Sequence, residues 1–179
     1  MNIKGLLAQA LVLIGFCGLV ASAGQAQDKL PPATKKGFVT TSDSVKIHYF
    51  DAGRKSPRRS PTLLFVPGWM TPGWIWEYQL AHFAKNYRVV AMDPRSQGES
   101  SKPANGHFPA ARARDIKSLV DQLKLTPVVL VACASGVTEV ASYVDQFGTE
   151  TLAALVLVNG IAGRDYDEAT VSGLLAYTN

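Results

Sequence analysis

The chain has 179 residues, the length of one ordinary domain. Apolar residues make up 47% of it and charged residues 18%, a balance typical of a folded globular protein rather than a disordered one. The 18 lysines and arginines exceed the 14 acidic residues only slightly and are scattered, so the charge does not favour a nucleic-acid partner. The one dense basic run, residues 54–59, is interpreted as a solvated hairpin loop.

The first 26 residues are predicted to be a cleavable signal peptide. Lys4 precedes an apolar stretch over 6–20, and small residues over 21–26 offer two cleavage sites. An uncleaved anchor helix is the alternative, and the two glycines within the short apolar stretch disfavour it. We therefore expect a periplasmic or secreted protein with no stable membrane anchor after cleavage. Residues 27–36 are expected to be a polar linker, and 37–179 a single domain.

The domain alternates between strand-like and helix-like segments. In chain order the sequence predicts a hairpin of strands over 38–41 and 45–50, a strand over 62–66, a helix over 74–84, a strand over 87–92, a helix over 110–125, a strand over 128–131, a helix over 137–147, a strand over 155–158 and a helix over 170–177. This order predicts an α/β fold with a mostly parallel sheet, an N-terminal antiparallel hairpin and helices on both faces.

Loops at the carboxyl ends of parallel strands converge on one edge of a sheet, and three such loops carry recognisable motifs. The first is Pro67-Gly68-Trp69-Met70, with Trp76 a few residues further on. The second covers residues 93–100, and the third covers residues 131–136 and runs directly from strand to helix. Together these motifs resemble the α/β-hydrolase family, in particular its lipase-, esterase- and perhydrolase-like members.

The resemblance covers nearly the whole chain after the signal peptide. It implies that Gly68 follows a Pro in place of the family's His, and that Trp69 occupies the position of the oxyanion-hole residue. It implies a structural role for the loop over 93–100, in which Asp93 organises the turn and Ser96 replaces the family's first Gly.

The third motif resembles the nucleophile elbow, Gly-x-Ser-x-Gly, which needs small residues on both sides of its central nucleophile. Alignment on the small residues Ala132 and Gly136 places Ala134 at the centre, and alanine has no nucleophilic atom. In that frame the resemblance implies that Ser135 contributes its backbone N–H to the oxyanion hole. An engineered substitution, natural divergence and a different chemistry all remain open as origins of Ala134.

Two frame shifts would restore a nucleophile. With Ser135 at the centre, the β-branched Val137 would stand where the elbow needs a small residue. With Cys133 at the centre, Val131 would stand there. Both fit the elbow less well. Cys133 is interpreted first as a small apolar residue beside the turn.

A serine nucleophile also needs a general base, which in this family follows the elbow in the chain. The three histidines, His48, His82 and His107, all precede it. His48 is predicted to lie at a surface or edge, His82 in a helix and His107 in a loop near the cleft. Asn159 takes the strand end where some relatives carry an acid. We expect the domain to stop before the family's last strands.

The resemblance implies an exported protein whose parent hydrolyses a small apolar ester or acyl substrate, bound by Trp69, Met70 and Trp74. Trp76 is assigned either to the cleft or to the core. This chain is expected to be inactive, and a non-catalytic small-ligand-binding protein of the same fold is the alternative. No turn carries the Gly-x-Gly-x-x-Gly of a dinucleotide-binding domain, and we expect neither a cofactor nor a metal.

Overall fold

The computed structural model of the chain describes residues 30–53 and 60–160. The predictions of a signal peptide over 1–26, a basic loop over 54–59 and a helix over 170–177 lie outside these residues. None of the helices in the described ranges is long and apolar enough to cross a membrane.

Six strands, three α-helices and one 3-10 helix make up the described fold. The strands are β1 (Lys35–Thr40), β2 (Lys46–Ala52), β3 (Thr62–Val66), β4 (Val89–Met92), β5 (Val128–Cys133) and β6 (Leu152–Val158). The helices are the 3-10 helix (Gly73–Trp76), α1 (Glu77–Phe83), α2 (Pro109–Gln122) and α3 (Gly136–Phe147).

All six strands belong to one sheet in the order β1-β2-β4-β3-β5-β6. The pairs β1–β2 and β2–β4 are antiparallel, whereas β4–β3, β3–β5 and β5–β6 are parallel. The predicted fold class, a mostly parallel sheet with an antiparallel N-terminal hairpin, is confirmed. Because β3 pairs directly with β5, with Val66 opposite Ala132, the loops that follow these two strands emerge side by side.

Apolar residues alternate between the two faces of the sheet. On one face Leu64 and Val66 of β3 pack with α2 and α3, and on the other Phe65 packs with Trp76 and α1. The apolar stripe of α2, which includes Ile116 and Leu119, is fully buried. Each such side chain contributes about 1.5–3 kcal/mol on burial, so these two layers hold the strand ends in place.

Several element boundaries differ from the sequence predictions, and β1, for example, begins at Lys35, inside the predicted linker over 27–36. The helix predicted over 74–84 is a 3-10 helix followed by α1, because Trp76 at the junction has φ −88° and ψ 15°. Both pieces bury apolar residues at similar spacing, so the pattern does not separate them. β6 begins at Leu152 rather than at residue 155, since pairing with Val128 and Val129 extends the strand through its two alanines.

The prediction that His48 lies at a surface or edge is wrong. His48 is 1% exposed, and its Nδ1 lies 2.8 Å from Oδ2 of Asp93. Its ring packs against those of Phe38 and Phe50. The physical reason is that β4 pairs with β2 on the side away from β1, which makes β2 an interior strand.

Candidate active site

The turn between β5 and α3, residues 132–136, has the geometry of a nucleophile elbow. β5 ends at Cys133 and α3 begins at Gly136, so only two residues connect strand and helix. Ala134 has φ 51°, in the left-handed region, at a cost of roughly 1–2 kcal/mol for a residue with a Cβ. Its side chain is exposed. The sharp turn therefore presents residue 134 at the edge of the sheet.

The two frame-shift candidates take other positions in the same turn. Cys133 is the last residue of β5 and pairs with Val158 of β6. Ser135 has helical φ and ψ of −64° and −21° at the N-cap of α3, and its Oγ is buried without a hydrogen-bond partner among the described residues. Of the residues 133–135, Ala134 alone has the left-handed backbone that the centre of an elbow requires.

The loop after β3, residues 67–72, lies directly against the elbow. A Cβ built on Gly68 would be 3.0 Å from Cβ of Ala134 and 3.6 Å from the backbone N of Ser135. A Cβ built on Gly136 would be 2.8 Å from the carbonyl oxygen of Val66. Side chains at either glycine would push the loop and the elbow apart, so both glycines are required by this close approach.

The end of β6 holds the elbow from the other side. The N–H of Ala134 donates to the carbonyl oxygen of Val158 at 3.1 Å. A Cβ built on Gly160 would be 2.7 Å from the carbonyl oxygen of Ala134. Asn159, between these two contacts, also has a left-handed backbone, with φ 48°.

Two backbone N–H groups in this region have no acceptor in the part of the chain that the structure describes. Among residues 30–53 and 60–160, neither the N–H of Trp69 nor that of Ser135 donates a hydrogen bond to another group. Ser135 N lies at the N-terminus of the 12-residue helix α3, where the aligned peptide dipoles favour negative charge.

The sequence matches that of known enzymes along most of this region. Residues 61–176 match the family model described as alpha/beta hydrolase fold, which is more than half of the chain. The chain belongs to the α/β-hydrolase family. A bifunctional esterase/perhydrolase of Acinetobacter calcoaceticus is 36% identical over 126 residues, covering 70% of this chain and 45% of the relative. A non-heme chloroperoxidase of Burkholderia pyrrocinia is 35% identical over 127 residues, covering 69% and 45%.

Solved structures of family members agree with this assignment. An esterase from Exiguobacterium antarcticum superposes with a TM-score of 0.69 at 27% identity, over 80% of this chain and 56% of that one. A bromoperoxidase from Bacillus anthracis gives 0.64 at 28% identity, over 78% and 53%. This α/β-hydrolase chain thus spans less than half the length of the two curated relatives and little more than half of these structures.

The tryptophans near the α/β-hydrolase elbow have different environments. Trp69 and Met70 are exposed on the loop after β3, at 36% and 78%, and Met70 has a left-handed backbone with φ 59°. Trp74 is half-buried in the 3-10 helix and packs against the apolar cluster beneath it. Trp76 is buried against Phe65, with ring centroids 5.1 Å apart, and so belongs to the core. Trp69 and Met70 therefore lie on the loop whose Gly68 contacts the elbow, and Trp74 follows in the 3-10 helix.

The loop over residues 93–100 is organised by one buried carboxylate. Asp93 accepts hydrogen bonds from the N–H groups of Gly73 at 2.6 Å and Glu99 at 2.9 Å, in addition to its contact with His48. Ser96, at the position of the family's glycine, has φ 67°. Asp93 thus joins this loop to the 3-10 helix and to β2, which is a structural arrangement.

The remaining histidines occupy the positions that the sequence predicts. His82 lies in α1 and is exposed, and His107 lies in the loop before α2. The ring of His107 packs edge-on to Trp69 with centroids 6.4 Å apart, while its Nε2–H donates to the carbonyl oxygen of Pro103. In the described part of the chain, no three His, Cys, Asp or Glu side chains are grouped to hold a metal ion.

A buried ion pair next to the elbow is not predicted by the sequence. Arg112 of α2 donates from Nη1 to Oε1 of Glu139 in the first turn of α3, at 2.7 Å. The guanidinium carbon of Arg112 lies 4.5 Å from the centroid of the Trp69 ring. Burial raises the pKa of Glu139 to about 7, although Arg112 opposes this shift. The two residues are 27 positions apart, so local periodicity contains no signal for their contact.

Proposed function

We propose that the chain carries the elbow half of a hydrolase site for small apolar ester or acyl substrates, and that Ala134 at the nucleophile position leaves this chain without hydrolytic activity. The single observation that supports this most directly is the left-handed Ala134, held between β5 and α3 and packed against Gly68. The esterase names of the relatives favour the same substrate class.

The proposed chemistry centres on the N–H groups of Trp69 and Ser135, which have no acceptor among the described residues. An attack on an ester carbonyl places negative charge on the carbonyl oxygen, and the N–H groups of Trp69 and Ser135 would donate to it. Loss of one such donor reduces catalysis by about 100- to 1000-fold in well-studied cases. Trp69, Met70 and Trp74 would contact the apolar part of the substrate.

A thiol at position 134 tests this proposal, because a thiol at a helix N-terminus is partly ionised near neutral pH and needs no histidine. In the Ala134→Cys variant, the introduced thiolate would attack p-nitrophenyl acetate, form a thioester and release p-nitrophenolate. We expect a burst of one equivalent per chain. The unsubstituted chain, whose thiol in the described residues is that of the neighbouring Cys133, is the matched control.

Donation by two N–H groups should make acylation of the introduced thiol at least about 100-fold faster than acylation of Cys133. Equal rates for the two thiols would contradict the proposal. Mass spectrometry of the acetylated chain would identify which of the two positions carries the acetyl group.

Ala134 itself favours one alternative, a non-catalytic protein that binds small apolar ligands in the same cleft. This alternative predicts saturable binding of an aryl ester to the unsubstituted chain, measured as a change in tryptophan fluorescence. Such binding, together with an introduced thiol no more reactive than Cys133, would favour this alternative over the hydrolase site.

We also propose that the protein is exported to the periplasm or secreted through a signal peptide over residues 1–26. The positive residue, the apolar stretch and the small residues before 27 support this. Expression of the full chain in a bacterium, followed by N-terminal sequencing, should give a mature chain beginning at residue 24 or 27. Retention of Met1 in the cytoplasmic fraction would contradict it.

A further inference from the structure

We propose that Arg112 is a positioning residue of the oxyanion hole, holding the backbone of Trp69 at its distance from Ser135. This inference rests on the proposed function, because it concerns the same two N–H groups. It assigns a role to a side chain that belongs to neither the elbow nor the loop after β3.

Arg112 contacts both of the segments that carry the N–H groups. Its guanidinium lies over the ring of Trp69, and its Nη1 donates to Glu139 in α3. Glu139 lies four positions after Ser135, and its N–H reaches the carbonyl oxygen of Ser135 at 3.4 Å. Residues four apart share one face of a helix, so Arg112 connects Trp69 to the turn of α3 that Ser135 begins.

The hydrogen bonds of the pair argue against a role in stability alone. Arg112 and Glu139 are both buried, yet Nε and Nη2 of Arg112 and Oε2 of Glu139 have no partner among the described residues. Burying two charges for one hydrogen bond is unfavourable compared with packing apolar residues of the same size. A planar guanidinium can lie over an indole and donate to a carboxylate from its edge, whereas a lysine ammonium is a compact point charge without this planar fork.

A second buried arginine in the chain shows what a structural ion pair looks like here. Arg95 donates from Nε and Nη2 to both carboxylate oxygens of Asp115, at 2.8 and 2.6 Å, and from Nη1 to Asp43 at 3.0 Å. All of its nitrogens are used. Arg112 instead gives one hydrogen bond among the described residues and has its guanidinium carbon 4.5 Å from the centroid of the Trp69 ring, as expected for a group that fixes the position of that residue.

The test compares two reactions of the Ala134→Cys chain. Acylation by p-nitrophenyl acetate passes through an oxyanion, whereas alkylation by iodoacetamide does not. We expect Arg112→Met to lower the ratio of acylation to alkylation rates by about tenfold or more, since small displacements of donors have large effects on rate. Arg112→Lys should restore only part of this ratio, because it keeps the charge without the planar guanidinium.

Arg88→Met is the matched control, since Arg88 pairs with Asp51 through Nε and Nη2 at the start of β4. We expect Arg88→Met to leave the ratio of acylation to alkylation rates of the Ala134→Cys chain unchanged. Should Arg112→Met fail to fold, the Arg112→Met/Glu139→Gln chain removes both buried charges and serves instead, with the alkylation rate reporting an intact elbow.

Failure of the proposed function and failure of the positioning role give different results. An introduced thiol that is acylated no faster than Cys133 would overturn the proposed function. If acylation is rapid but the ratio of acylation to alkylation rates is the same in the Arg112 variants, only the positioning role is overturned. Full restoration of this ratio by Arg112→Lys would overturn it as well.

Discussion

Gly68 and Ala134 meet so closely that a Cβ on Gly68 would lie 3.0 Å from the Cβ of Ala134. The two residues come from loops after neighbouring parallel strands, β3 and β5. A Cβ on Gly68 would also lie 3.6 Å from the backbone N of Ser135, so the loop that continues into Trp69 passes beside the start of α3. The candidate site therefore depends on the absence of a side chain at position 68.

We expect Gly68→Ala to lower the free energy of unfolding by about 1–2 kcal/mol, because the added methyl group also approaches the carbonyl oxygen of Cys133 at 3.2 Å. Urea denaturation measures this change. Combining it with Ala134→Gly should recover part of the loss, since that substitution removes the facing Cβ. Strictly additive effects in the double variant would show that the two residues are not in contact.

We expect Ala134→Gly alone to raise the free energy of unfolding by up to about 1 kcal/mol. Glycine adopts φ near 51° without the steric penalty that a Cβ imposes, although it loses more backbone entropy on folding. Ala132→Gly is the control, in the adjacent buried strand, and should lower the free energy of unfolding by about 1 kcal/mol. Equal losses in the two variants would argue against a left-handed residue 134.

We expect Asp93→Asn to lower the free energy of unfolding by about 2–3 kcal/mol. An amide group replaces one carboxylate oxygen and would face an N–H donor, so at least one of the bonds from Gly73, Glu99 and His48 is lost. Asp121→Asn affects only an exposed i,i+4 pair with Lys117. It should change the free energy of unfolding by about 0.5 kcal/mol or less. Similar small effects in both would contradict the organising role of Asp93.

The pH dependence of stability should contain a contribution from Glu139. Its pKa is raised by burial from 4.5 to about 7 in the folded state, so the folded chain binds the proton more tightly than the unfolded chain. The stabilisation is complete below pH 4.5 and is lost as the pH rises through 7. Asp115, whose pKa is also raised by burial, contributes in the same direction.

Comparison with Glu139→Gln isolates the contribution of this one group, because Asp115 is present in both chains. Between pH 4.5 and 8 the unsubstituted chain should lose about 3 kcal/mol of unfolding free energy relative to the variant. Parallel curves for the two chains would show that Glu139 ionises normally despite its burial beside Arg112.

The sequence predicts those features that depend on local spacing. The apolar stripe of Ile116 and Leu119 marks α2, and small residues on both sides of Ala134 mark the turn that the structure shows as left-handed. The strand–helix alternation is enough to predict the sheet, because successive elements in this fold lie close together.

Other features depend on contacts between distant residues. His48 alternates with Ile47 and Tyr49 as a half-exposed strand residue would, yet it is buried because Asp93 and β4 cover it from positions about 45 residues away. The contact of Arg112 with Glu139 and Trp69 likewise joins three separate segments. No local pattern specifies such contacts, and only the packing of α2 against α3 brings them about.

The central claim is that a group attached to residue 134 places its carbonyl oxygen between the N–H groups of Trp69 and Ser135. The most direct measurement is the infrared carbonyl band of the 13C-labelled acetyl thioester formed at position 134 of the Ala134→Cys chain. Donation from two N–H groups should shift this band to lower frequency in the folded chain, and the shift should vanish in urea. A band that is the same in the folded and unfolded chains would contradict the claim.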